Sequence, residues 1–171
     1  MNNGYAYSLF NLALENNNID KVFLEFKNFY AVFAENKDLE DYLSSLVIKN
    51  EEKKKIIDEI VGNDDLDFKY FLYVVSDNDE FNHLDEIYDE FKKAYYDYVH
   101  IKEVIVLSNQ ELPNDERKMI KKILDKKYPN DEVLLVEKID KDILVGFKIY
   151  VDNVQLSANL GQEIAEMKLN F

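Results

Sequence analysis

Apolar residues in the first hundred positions recur every three or four residues, which is the period of amphipathic helices. The clearest stripe begins at Ile19 and continues through Phe26 to Phe33, so this segment is predicted to be one long helix. Five further segments share the period, and we expect helices at residues 4–16, around 39–46, from Asn50 to a stop at Gly62, at 65–76 and at 79–99. Six helices with short connections are typical of a compact bundle.

The pattern changes near residue 100, where the β-branched run from Ile101 to Leu107 predicts a strand. A turn at Asn109–Pro113 leads into another helix, and strand-like runs follow at Val133–Val136 and Ile143–Val151. A short further run and a terminal helix at about 159–169 complete the pattern. The predicted fold is therefore a six-helix bundle over residues 1–100, followed over 101–171 by a smaller α+β domain of strand-helix-strand-strand order with a C-terminal helix.

Composition restricts the partners that such a chain can have. The 171 residues include 35 Asp and Glu against 21 Lys and Arg, which gives a net charge of −14. A body of this charge repels phosphate backbones and anionic lipid, so we expect no nucleic-acid partner. No stretch approaches the roughly 20 apolar residues of a membrane span, so we expect no direct span. With 47% hydrophobic residues, the chain is expected to fold.

Candidate chemistry is sparse in this sequence. There is no cysteine, and four scattered glycines cannot form a phosphate-binding loop. His83 and His100 lack a recognisable third member for a metal site or an acid–base pair. The acidic run at 77–80 fails as a calcium loop, because Phe81 and Asn82 stand where an oxygen ligand and a glycine are needed. We therefore predict no catalytic residues, no metal and no cofactor.

The first and fifth predicted helices carry more apolar side chains than one buried face requires. Outside the main face of the first helix lie Tyr5, Tyr7, Leu12 and Leu14. Outside that of the fifth helix lie Leu66, Tyr70, Tyr73 and Val74. A helix that is apolar on more than one side is either central in its domain or keeps a second face for another molecule. The pattern alone leaves both interpretations open.

Several segments together resemble the delta subunit of bacterial F-type ATP synthases, a relative of the mitochondrial oligomycin-sensitivity-conferring protein. They are the opening YAYSLF at 5–10, the strong second helix, residues 78–84, and KIDKDILVGFKIYV at 138–151. The resemblance extends over essentially the whole chain. Its sharpest motif comprises Ile139, Asp140, Ile143, Gly146, Phe147 and Ile149.

This resemblance implies two binding surfaces. In relatives, the N-terminal domain takes the amphipathic N-terminal helix of an F1 alpha subunit in a groove between the first and fifth helices. The corresponding positions here are Tyr5, Ala6, Leu9, Leu12, Ala13, Phe71, Val74 and Val75. The C-terminal domain and its last helix, including Ile164 and Met167, would contact the b subunits of the peripheral stalk.

The resemblance further implies a non-catalytic stator subunit, a monomer within a hetero-oligomer, at the cytoplasmic side of the cell membrane. It would keep the catalytic head from turning with the rotor and so support proton-driven ATP synthesis or hydrolysis. Two alternatives remain open at this point. One is a delta-like subunit of a specialised F1-like machine, because the segment at 157–162 departs from the family pattern. The other is a small enzyme whose site is too diffuse to recognise.

Overall fold

The computed structural model describes residues 3–62, 66–144, 146–152 and 154–155. The chain divides into two compact units, Met1–Tyr95 and Tyr96–Phe171. The first unit is helical and the second contains the strands, so the chain is an α+β protein. The boundary between the units falls about five residues before the predicted one, inside the last helical turns before the first strand.

The helices of the first unit follow the predicted order. Their bounds are α1 Asn3–Glu15, α2 Ile19–Glu35, α3 Lys37–Ser44, α4 Asn50–Val61, α5 Leu66–Asp77 and α6 Leu84–Tyr98. Local signals set several ends. The Asn36 side chain accepts a hydrogen bond from the Leu39 amide at 3.1 Å and so caps α3. Gly62 ends α4 at φ 67°, a backbone conformation that glycine adopts more readily than other residues.

Aromatic packing around Phe26 forms the centre of this unit. The Phe26 ring has its centroid 5.1–5.6 Å from those of Phe68, Phe71, Tyr88 and Phe91. These neighbours lie on α5 and α6, so the stripe predicted on α2 holds both helices. Aromatic rings at such distances pack edge-to-face or offset, and these contacts stabilise the fold beyond the burial of apolar area.

The predicted start of the sixth helix at residue 79 is wrong. Asp79 has φ 56°, in the left-handed region, so its backbone cannot be part of an α-helix. A 3-10 helical turn at Glu80–His83 follows, and α6 begins only at Leu84. The turn lets Phe81 enter the core, where it is fully buried. Burial of this ring therefore decides the start of α6, which apolar spacing alone does not reveal.

The second unit contains a four-stranded sheet and one helix among the described residues. The bounds are β1 Ile101–Ser108, α7 Asn114–Lys127, β2 Glu132–Ile139, β3 Phe147–Val151 and β4 Val154–Gln155. The strand order is β2-β1-β3-β4, with β1 and β2 parallel and the other pairs antiparallel. One sheet face, including Val104 and Val106, packs with Ile120 and Leu124 of α7.

The strands differ from the predicted bounds at both ends of the family motif. β2 extends to Ile139, because its full length pairs with β1. β3 begins at Phe147 and not at residue 143 as predicted; Ile143 instead lies buried in a turn, where its amide donates to the Asp140 carbonyl at 3.2 Å. Gly146, at φ 81°, provides the left-handed residue that redirects the chain into β3. The predicted terminal helix at 159–169 lies outside the described residues.

We expect Asp79→Gly to destabilise the first unit although it removes a left-handed aspartate. The Lys53 side chain is only 1% exposed, and its ammonium lies 3.4 Å from an Asp79 carboxylate oxygen. Removing the partner of a buried charge costs about 3–5 kcal/mol, more than the roughly 1–2 kcal/mol that glycine gains at positive φ. Urea unfolding of the full chain measures the difference.

The double variant Lys53→Met with Asp79→Gly is the matched control. It removes the buried ammonium as well, so most of the lost stability should return. An Asp79→Gly protein more stable than the wild type would contradict the assignment of Asp79 as the partner of Lys53.

Candidate partner-binding surface on helices α1 and α5

Helices α1 and α5 pack side by side in opposite directions. Near the end of α1, the Asn16 side-chain amide donates to Asp67, in the first turn of α5, at 2.7 Å. The Asn18 amide donates to the same carboxylate oxygen at 3.0 Å. The end of α1 therefore lies beside the start of α5, as in an antiparallel pair. Burial, and then the charge of Glu80, raise the pKa of the Tyr5 hydroxyl above its ordinary value.

Most of the groove positions assigned from the family lie in the core of the unit. Ala6, Leu9 and Ala13 face inwards from α1 and are at most 2% exposed. From α5, Phe71 and Val75 join the same buried cluster. These five side chains pack with residues of α2 in the core of the helical unit. They therefore offer little surface of their own to a partner.

The remaining assigned positions border the junction at the protein surface. Leu12 is 40% exposed and Val74 is 48% exposed, while Tyr5 is half-buried. Leu12 lies four residues before Asn16 and so shares the flank that faces α5. Val74 lies seven residues after Asp67 and shares the flank that faces α1. An apolar side chain from each helix therefore lines the junction, and we call this strip the α1–α5 surface.

Two more exposed apolar side chains extend the α1–α5 surface along α5. Leu66 and Tyr70 are 50% and 56% exposed, and with Val74 they recur every four residues. This spacing places the three on one exposed ridge of α5. Sequence reasoning noted Leu66 and Tyr70 as surplus apolar residues but did not assign them to a site. Their i, i+4, i+8 spacing is the signal that could have done so.

Polar contacts with α4 hold α5 from its other side. Lys54 and Asp77 form an ion pair at 2.6 Å, and Lys69 lies 3.4 Å from Asp58. The Tyr73 hydroxyl donates a hydrogen bond to Asp58. This bond, aided by Lys69, lowers the pKa of Asp58 below its ordinary value, and it raises the pKa of Tyr73 to about 12. Helix α4 therefore holds α5, which carries the exposed ridge, in place.

The other sequence candidates are dispersed. His83 and His100 are exposed and lie near Glu86 and Asp131, at 3.8 and 3.9 Å respectively. The acidic run at 77–80 supplies ion-pair partners for α4. In the described part of the chain, no group of three or more His, Cys, Asp or Glu could hold a metal ion. Ile164 and Met167 lie outside the described residues.

None of the described helices combines the length and the apolar character needed to cross a bilayer. An exposed apolar strip on a helical unit is a feature that interaction surfaces share.

Comparison with known proteins identifies the family of this chain. The family model "ATP synthase delta (OSCP) subunit" matches residues 1–171. The chain therefore belongs to the ATP synthase delta (OSCP) subunit family, and the resemblance found in its sequence is confirmed. It is a non-catalytic, structural component of the peripheral stalk of F-type ATP synthase.

Individual relatives agree with this assignment. An ATP synthase subunit delta of Streptococcus equinus is 28% identical over 98% of this chain and 93% of its own length. One from Prochlorococcus marinus subsp. pastoris is 29% identical over 98% and 93%. A chain in the cryo-EM structure of the Toxoplasma gondii mitochondrial ATP synthase hexamer has a similar fold, with a TM-score of 0.78 at 12% identity, covering 99% of this chain and 97% of that chain.

We expect the contact between Tyr73 and Asp58 to make stability depend on pH in the acid range. Because the pKa of Asp58 is lowered in the folded state, its contribution is present above the unfolded value of about 4 and disappears as the pH falls through the folded one. Tyr73→Phe removes the main cause of that shift. The free energies of unfolding of wild type and variant should therefore differ near pH 6 and converge as the pH falls below about 4.

Tyr70→Phe provides the matched control, because the Tyr70 ring neighbours Tyr73 edge-to-face on the same helix. Its curve of unfolding free energy against pH should follow the wild type. A Tyr73→Phe curve parallel to the wild type throughout would refute the assignment.

Proposed function

We propose that the chain links the catalytic head of F-type ATP synthase to its peripheral stalk on the cytoplasmic side of the membrane. Residues 1–100, as a six-helix bundle, would bind the N-terminal helix of an alpha subunit at the α1–α5 surface. Residues 101–171 would contact the b subunits, with Ile164 and Met167 in that contact. Membership of the delta (OSCP) family supports both assignments.

The observation that carries the first assignment is the exposed apolar strip between two fixed helices. Leu12 of α1 and Tyr70 and Val74 of α5 are exposed apolar side chains on two helices that pack together. A strip of this form suits an amphipathic helix, which presents apolar side chains at i, i+3, i+4 and i+7. Leu9 and Phe71 lie in the buried core beneath the two helices.

Simple magnitudes explain why such a subunit needs two attachments. Burial of the four side chains Tyr5, Leu12, Tyr70 and Val74 gives on the order of 4–8 kcal/mol, because each is already partly covered. Association costs an estimated 4–15 kcal/mol, so one surface alone binds weakly. In an assembled complex the second attachment raises the effective concentration at the first. The function is mechanical: the chain resists rotation of the head and performs no bond chemistry.

Calorimetric titration with a synthetic peptide of the alpha-subunit N-terminus from the same genome tests the proposal. Leu12→Glu and Val74→Glu should each weaken binding about tenfold or more, since a carboxylate would be buried against apolar side chains. Both positions are surface-exposed, so the variants keep the buried core unchanged.

Leu24→Glu is the matched control, because Leu24 of α2 is an exposed leucine like Leu12, at 54% against 40%. It should bind the peptide like the wild type. Unchanged affinity in both Leu12→Glu and Val74→Glu would exclude the α1–α5 surface as the docking site.

A further inference from the structure

The two faces of the sheet in the second unit differ in how deeply their side chains are buried. Val104 and Val106 of β1 point to the face on which α7 packs, and both are fully buried. Ile105 and Leu107 point to the other face, because side chains alternate along a strand, and both are only partly buried. Neither of them belongs to a hydrophobic cluster of the described chain.

Strand register brings five apolar side chains together on this second face. Ile105 is the Cα partner of Val136 on β2 and of Tyr150 on β3, so the three form one row across the sheet. Leu107 lies two residues further along β1, and Leu134, which is 41% exposed, lies two residues back along β2. We call the patch formed by these five side chains the outer sheet face.

The amino-acid sequence of the strands is not that of a sheet with one solvated face. Such a sheet alternates apolar and polar residues, whereas β1 contains VIVL at 104–107 and β2 contains VLLV at 133–136. Continuous apolar runs are typical of strands that are covered on both faces, above all in parallel pairs such as β1 and β2. We therefore expect the outer sheet face to be covered in the assembled complex.

Two lysines place positive charge at one end of the outer sheet face. Lys138 and Lys148 are the Cα partners of Leu107 on its two sides. Both are exposed, and neither forms an ion pair with a residue that the structure describes. Neighbouring strands lie about 4.8 Å apart, so the two lysine Cα atoms are about 10 Å apart, close to the diameter of an α-helix. At the other end Glu103 lies beside Leu134, which confines the positive charge to the Leu107 end.

We infer that the outer sheet face binds an amphipathic helix of the b subunits that carries Asp or Glu beside one end of its apolar stripe. The inference rests on the proposed function, in which residues 101–171 contact the b subunits, and it specifies the surface and the chemistry of that contact. The apolar stripe covers the row around Ile105, and the carboxylates meet Lys138 and Lys148 on the two flanks of the helix. Because the lysines lie at one end only, they set the direction in which the helix lies on the sheet.

A protein helix suits this face better than an extended anionic surface. A membrane or a nucleic acid presents negative charge over a wide area and is repelled by a chain with a net charge of −14. A helix with carboxylates at one end brings its negative charge only to the two lysines. Its apolar side chains also cover the patch, which phosphate groups cannot do.

Calorimetric titration of the full chain with the purified cytoplasmic part of the b subunit from the same genome tests the inference. Lys138→Glu with Lys148→Glu should weaken binding about fivefold or more at about 50 mM salt, because like charges then face each other. The effect should fall below about twofold at about 500 mM salt, where exposed charges are screened. Leu134→Glu should weaken binding about tenfold or more at both salt concentrations, because it places a carboxylate in an apolar contact.

Matched variants separate local recognition from net charge and from damage to the fold. Lys121→Glu with Lys122→Glu makes the same change of charge at exposed positions of α7, which packs on the opposite face of the sheet, and should bind within about twofold of the wild type. Leu24→Glu, at an exposed leucine of the helical unit, should also bind like the wild type. The thermal unfolding midpoint of free Leu134→Glu protein should stay within about 3 °C of that of the wild type, as for a surface substitution.

The outcomes distinguish the inference from the proposed function. If the b subunit binds and the variants of the outer sheet face bind it like the wild type, only the inference fails. If the b subunit does not bind the wild type, the inference and the proposed stalk contact both fail. A lower unfolding midpoint for Leu134→Glu would show that the chain covers this face itself, and a wild-type dimer that Leu134→Glu dissociates would assign the face to a second copy. Either result, or equal weakening by the Lys121→Glu, Lys122→Glu control, would overturn the inference.

Discussion

The aromatic core around Phe26 is the constraint on which the rest of the helical unit depends. Its contacts with Phe68 and Phe71 on α5 and with Tyr88 and Phe91 on α6 require those helices to turn their most apolar faces inwards. Helix α1 seals the same core with Ala6, Leu9 and Ala13. Only apolar side chains beside these faces remain for a partner, which explains why the α1–α5 surface is a narrow strip. The strip is a by-product of sealing the core with two helices that are apolar on more than one side.

Rigidity of this strip comes from polar contacts on the opposite side of α5. Asp58 accepts a hydrogen bond from Tyr73 and forms an ion pair with Lys69. Asp77 forms an ion pair with Lys54, so α4 holds α5 at several points. The buried pair of Lys53 with Asp79 adds a contact at the turn that follows. Ion pairs at exposed positions contribute little individually, but several between the same two helices restrict sliding. Resistance to deformation suits a peripheral stalk component, whose task is to transmit force.

The division into two units fits an adapter of this family. Each unit has its own hydrophobic core, one around Phe26 and one between α7 and the sheet. Separate cores allow the two units to carry separate binding surfaces without sharing a fold. A chain with two modest surfaces becomes a firm link only when both are engaged in one assembly, because each engagement raises the local concentration of the other. The net charge of −14 opposes self-association of the free subunit.

Periodicity in the sequence determined the helices of the first unit, the change to strands near residue 100, and the family, because apolar spacing and local motifs depend on neighbours along the chain. Tertiary structure decided which apolar residues remain at the surface. Leu9 and Leu12 are three residues apart on one helix and cannot be ranked by hydrophobicity, yet Leu9 is buried and Leu12 is exposed. Likewise, the start of α6 at Leu84 depends on the burial of Phe81 and the left-handed turn at Asp79. Burial depends on which distant helices pack together, and no local pattern contains that information.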